Sequence, residues 1–150
     1  RLFQTANYST AEIESIFNKI KKLYHPEAVF ANHIKKNLHD TNFKLIGEEL
    51  LIKKPRRGQC DLWLINSKYD FLLSLELKVG KTNDKRKFNK LYEQVHTYTH
   101  AMEIIYPEYK VYGLGAYKSL TTDEIKWIHH GNVSSFKHSR ELTMFENFIT

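Results

Sequence analysis

Three charged residues, Asp61, Glu76 and Lys78, stand in strand-like sequence, where charge is costly unless it is paired or bound to a metal. Glu76 and Lys78 are two apart. On a strand both point to one face, while Leu75 and Leu77 point to the other. Asp61 precedes Leu-Trp-Leu-Ile and shares a face with Trp63 and Ile65, so a hairpin of this length can bring it beside Glu76. Two close carboxylates repel, and one takes up a proton unless a cation intervenes. Mg²⁺ (or Mn²⁺) suits that position, because it takes oxygen ligands and keeps several waters. Such an ion can neutralise a scissile phosphate and acidify an attacking water. Lys78 can then orient or help deprotonate the water, or stabilise charge in the transition state. The competing reading is a Glu76–Lys78 salt bridge on an exposed strand. Glu-x-Lys alone is a common pattern. The fuller pattern is more specific: a strand carrying Asp61, a polar turn, then Ser-Leu-Glu-Leu-Lys-Val-Gly.

The elements that must position these residues follow from periodicity. Ser9 and Glu12 form a Ser-x-x-Glu capping box ahead of Ile13, Ile16, Phe17, Ile20 and Leu23, which predicts a helix over 10–24. Pro26 suits the first turn of a second helix over 26–39, with Val29, Phe30, Ala31, Ile34 and Leu38 on its apolar side. Glu27 in that first turn is favoured by the helix dipole whatever else it does. A strand is expected over 43–53, interrupted by Glu48 and Glu49, which point to opposite faces. Then come a basic turn at 53–58, a strand over 59–65, a turn at 66–70 and a strand over 71–79. A loop at 80–84 leads to a long helix over 85–106 with Leu91, Val95, Tyr98, Met102 and Ile105 inward, ended by Pro107. A strand over 110–117 follows. Its Gly113 and Gly115 suit close packing. Last come a short strand over 124–129, a loop at 131–135 and a helix over 140–149. The order predicts an α/β (α+β) fold, a mixed central sheet flanked by helices, in a single domain spanning 1–150.

The chain has a net charge of +6 and a pI near 9.3. A basic surplus favours an anionic partner. Its placement says more than its size. Lys53, Lys54, Arg56 and Arg57 precede Asp61, and Lys81, Lys85, Arg86, Lys87 and Lys90 follow Lys78, so cationic segments bracket the acidic centre. The single cysteine, Cys60, leaves no internal disulfide and no cysteine-based zinc site. That fits a reducing compartment and a cytoplasmic location. No apolar run reaches the ~20 residues of a membrane helix, and no signal-peptide pattern is present, so no membrane partner is expected. The chain begins with Arg, which leaves room for residues upstream. His96 and His100 lie at i and i+4, a spacing that can bind zinc, but no Glu-containing motif accompanies them. They read as surface residues, as do His129, His130 and His138.

Asp61, Glu76 and Lys78 in this pattern resemble the PD-(D/E)xK nuclease superfamily, whose core order of helix, three antiparallel strands, helix and strand is similar to the order above. The resemblance covers about 26–117 and departs at Cys60, where the superfamily's name has proline. It implies a restriction-endonuclease-like core with Asp61, Glu76 and Lys78 as the catalytic set. It also implies a further metal-binding carboxylate, with Glu27 preferred and Glu49 the alternative. Gln94-Val-His-Thr-Tyr98 fits the Gln-x-x-x-Tyr motif of the RecB-like branch. Four-residue spacing puts Gln94 and Tyr98 on one helical face, where the amide can reach a phosphate or a water on the metal. The absence of a cysteine quartet excludes an iron–sulfur cluster.

The expected function is a metal-dependent deoxyribonuclease, endo- or exonuclease, that hydrolyses phosphodiesters with little sequence specificity. The basic segments hold phosphates, and Trp63, Tyr92 and Tyr98 are candidates for stacking on bases, with core packing the favoured role for most of them. DNA is the expected substrate, although the motifs do not choose between DNA and RNA. Two sites cutting two strands make a homodimer plausible. The rivals are a catalytically inactive nucleic-acid-binding protein on the same fold and a basic module for a protein partner.

Overall fold

The computed structural model describes residues 8–24, 26–48, 51–52, 58–59, 62–130 and 137–150. Two helices, α1 (Thr10–Tyr24) and α2 (Pro26–Asn37), precede β1 (Phe43–Glu48). The short strands β2 (Leu51–Ile52) and β3 (Gly58–Gln59) pair antiparallel as a separate ribbon. Then follow β4 (Leu62–Asn66), β5 (Phe71–Gly80), the long helix α3 (Lys85–Ile105), β6 (Val111–Ser119), β7 (Ile125–His130) and α4 (Ser139–Ile149). The main sheet runs β1-β4-β5-β6-β7. Only β5 and β6 are parallel, joined by α3 as a crossover helix, and the other pairs are antiparallel. The fold is mixed α/β.

Strand parity sorts the core. Phe71, Leu73, Leu75, Leu77 and Val79 of β5 pack with Phe30 and Ile34 of α2 and with Leu142, Phe145 and Ile149 of α4. Leu72, one residue out of phase, packs with Trp63, Tyr98 and Met102 on the α3 side. Both faces of β5 are thus covered, which explains why it reads as a near-continuous hydrophobic run.

The capping box forms: the Ser9 amide donates to Glu12 Oε1 at 3.3 Å, and the Glu12 amide donates to Ser9 Oγ at 3.2 Å. The stripe behind it does not enter the core. Phe17 and Ile20 are exposed and Ile13 and Ile16 half-buried, because α1 lies beside α2 rather than on the sheet. The second helix stops at Asn37, and Leu38–Asp40 tightens into a 3₁₀ turn that still buries Leu38. The strand expected over 43–53 is described as β1, with a bulge between Leu45 and Gly47, and β2, and Glu49 and Leu50 between them lie outside the described residues. The strand expected over 59–65 is described as β3 and β4, with Cys60 and Asp61 outside the described residues. Ile105 is exposed rather than inward, as the last residue of α3. The expected basic turn at 53–58 lies outside the described residues except for Gly58, and the expected loop at 131–135 lies outside them entirely.

Gly115 lets α3 sit directly on β6. A Cβ there would fall 2.6 Å from Val95 Cγ2. Gly115→Ala is therefore expected to destabilise the protein by about 1–3 kcal/mol in urea unfolding, since the helix must move or Val95 must leave its rotamer.

At the other end of the sheet a buried carboxylate ties three elements together. Glu141 of α4 accepts hydrogen bonds from Asn42 Nδ2 and Asn66 Nδ2, each at 2.8 Å. Asn66 in turn accepts from the Lys68 and Tyr69 amides, shaping the β4–β5 turn in which Asp70 adopts φ 58°. Burial pushes the Glu141 carboxyl up, but the two amides, with Lys68 and His138, outweigh it and hold the group below its ordinary value. A folded-state pKa below the unfolded one means that the ionised form adds stability at neutral pH. That contribution is lost as pH falls through the lowered value. Urea titrations of wild type and Glu141→Ala should differ by about 1–3 kcal/mol at pH 7 and converge in acid.

Candidate active site

The site sits at the carboxyl end of the central strand β5, beside its parallel neighbour β6. The β4–β5 ladder is described as far as Leu62↔Leu75, and from Glu76 to Gly80 the described partner of β5 is β6. Along the α3-facing side of β5, Leu72 is followed by Ser74, Glu76 and Lys78. Ser74 is fully buried and Glu76 is 2% exposed. Their register partners on β6 are Gly113, Gly115 and Tyr117, so Glu76 and Lys78 do share one face.

Lys78 does not pair with Glu76 on an exposed strand. Its Nζ lies 3.6 Å from Glu27 Oε1, with the lysine side chain largely buried and the glutamate half-exposed. The start of α2, a helix that packs on the other face of β5, reaches Lys78. Glu27 is thereby brought to the motif across the fold. Asp61 and Glu49 lie outside the described residues, as do Lys53, Lys54, Arg56 and Arg57. Asp61 is covalently next to Leu62, whose register partner Leu75 is next to Glu76.

Gln94 is half-buried on α3, one turn before Tyr98. Tyr98 is 3% exposed and packs with Trp63 and Met102, so neither aromatic ring offers an open face to a base. That corrects the stacking role for both, because α3 is pressed flat on the sheet. Tyr92 is exposed on α3. Lys81, Lys85, Arg86, Lys87 and Lys90 are all exposed along the loop after β5 and the first turns of α3.

That loop is anchored from beneath. Tyr117 donates its hydroxyl to the Lys81 carbonyl at 2.7 Å, and burial, with Asp84 adding to it, raises the phenol pKa and keeps the proton in place. Asp84 caps α3 by accepting from the Lys87 amide at 3.1 Å. A pocket of about 280 Å³ opens here, lined by Thr82, Asn83, Lys85, Phe88, Tyr117 and Lys126. Lys126 belongs to no sequence motif. Only the register Tyr117↔Lys126 brings it to this end of the sheet.

Among the described residues no three His, Cys, Asp or Glu side chains form a group placed to hold a metal ion. Two of the four carboxylates expected to do so, Asp61 and Glu49, lie outside those residues. The donor chemistry at hand, the carboxylates of Glu76 and Glu27, is of the oxygen type that Mg²⁺ takes. No helix among the described residues is long and apolar enough to cross a membrane.

The Lys78–Glu27 pair is half in solvent, so its worth to stability is small. Glu27→Ala should shift the unfolding free energy by less than about 1 kcal/mol in urea denaturation, which would leave any larger effect on activity attributable to the site.

No family model matches the chain, and no curated protein matches it significantly.

Proposed function

We propose that the chain is a metal-dependent nuclease with a restriction-endonuclease-like core, hydrolysing phosphodiesters of DNA with little sequence specificity. The observation that carries this reading is the set at the end of β5. Glu76 and Lys78 share one face there, and Glu27 comes from another element to within 3.6 Å of Lys78. A solvated salt bridge within one strand would need neither the burial of Glu76 nor the reach to α2.

In this reading Asp61, Glu76 and either Glu27 or Glu49 hold Mg²⁺ or Mn²⁺. When bound, the ion supplies charge neutralisation at the scissile phosphate and acidifies water. Lys78 orients the attacking water and stabilises negative charge as the bond to phosphorus forms. Glu27 positions the Lys78 ammonium. Gln94 donates its amide to a phosphate oxygen. Lys81, Lys85, Arg86 and Lys87, with Lys53, Lys54, Arg56 and Arg57, hold flanking phosphates, a contribution independent of sequence and weakened by salt. A cytoplasmic location belongs to the same proposal, as does a pair of copies acting on the two strands of a duplex.

Incubation with linear and circular DNA, and with RNA, in Mg²⁺, Mn²⁺ or EDTA tests it. DNA should be cut in either metal and spared in EDTA, and Glu76→Ala should be slower by roughly a hundredfold or more. Cleavage that is equal in Glu76→Ala would sink the assignment. Binding of DNA without cleavage by the wild type would favour the inactive nucleic-acid-binding alternative.

A further inference from the structure

Away from this site, the fold brings together two histidines that the sequence keeps 34 residues apart: His96 Nδ1 of α3 and His130 Nδ1 of β7 are 3.1 Å from each other. The ring centroids are 4.7 Å apart with the planes tilted by 52°. His130 stands opposite Gly113 in the β6–β7 register, and a Cβ on Gly113 would come within 2.7 Å of His130 Cβ. The bare glycine therefore leaves room for His130 to lie against α3. His100 follows His96 by one turn on the same helical face, and both are exposed, while His130 is half-buried. Burial lowers the His130 pKa, His96 and His100 lower it further, and Glu103 opposes them. The imidazole is thus biased towards its neutral, metal-ligating form.

Two ring nitrogens at this distance cannot both carry a proton towards each other. One N–H faces one lone pair, or both lone pairs face a shared cation. On a tetrahedral zinc with Zn–N bonds of about 2.0–2.1 Å, two ligand nitrogens stand about 3.3 Å apart. The observed 3.1 Å is within a few tenths of an ångström of that spacing. We propose that His96 and His130 form a binding site for a divalent first-row transition metal such as Zn²⁺, held through the two Nδ1 atoms with water completing the coordination. The bound ion ties the edge strand β7 to α3. Imidazole ligands suit zinc, copper or nickel and not the Mg²⁺ of the proposed active site, so the two sites are chemically separate.

Calorimetric titration of the whole chain with ZnCl₂ tests this, with thermal melts alongside. In excess Mg²⁺, which occupies the carboxylates, wild type should bind Zn²⁺ at pH 7.5 and gain thermal stability from it. His96→Ala and His130→Ala should each weaken binding by roughly tenfold or more, since even outer-shell partners of a metal cost that much, and should abolish the thermal gain. Binding should weaken as pH falls, since protons compete with the metal for the ring nitrogens. His96 is exposed, so His96→Ala keeps the test valid if His130→Ala fails to fold, with circular dichroism as the check. Glu76→Ala should retain the Zn²⁺ binding that His96→Ala loses, which separates this site from the nuclease reading. Absence of binding by wild type, or binding unaltered in His96→Ala, overturns the proposal. So does loss in His100→Ala with retention in His130→Ala, which would assign the metal to the helical i,i+4 pair.

Discussion

A carboxylate inside a strand that is covered on both faces is the constraint on which the rest depends. β5 is the central strand of the sheet, packed by α2 and α4 on one side and by α3 on the other. Glu76 lies in it, 2% exposed. A charge there is tolerated only if the surroundings compensate it, and the fold arranges the surroundings accordingly. α2 delivers Glu27 to Lys78, and the small residues Gly113 and Gly115 let α3 close over the strand's neighbour β6. The apolar alternation of β5 drives its burial. The polar residues at its carboxyl end are carried inward with it, which is how a site can be built from few groups.

The opposite end of the sheet solves the same problem differently. Glu141 is also buried, but two asparagine amides satisfy it, and one of them shapes the β4–β5 turn. That carboxylate fixes the hairpin whose far end carries the candidate site. The shaped turn at one end and the ladders to β4 and β6 give β5 a fixed register, so that its even-numbered residues stay on the α3 side.

Much of this was legible because it is local. The capping box of α1, the Pro26 start of α2, the extent of β5 and the placement of α3 follow from spacing and cap chemistry within a few residues. Strand parity alone put Glu76 and Lys78 on one face. The bulge in β1 and the pairing of β2 with β3 were not legible, because neither leaves a periodic signal. The exposed stripe of α1 shows the limit of periodicity: it identifies an apolar face but not what covers it.

What the sequence determined by itself, then, was the set of elements and the phase of the charged residues on them, since both depend on backbone geometry that repeats every two or 3.6 residues. The tertiary structure alone decided the company those residues keep. Lys78 meets Glu27 rather than Glu76, Tyr98 is packed away rather than offered to a ligand, Glu141 is a buried hydrogen-bond hub, and His96 faces His130. Each of these depends on sheet order and on which helix covers which face. Such long-range contacts are fixed by the packing of the whole core, and no window of sequence contains them.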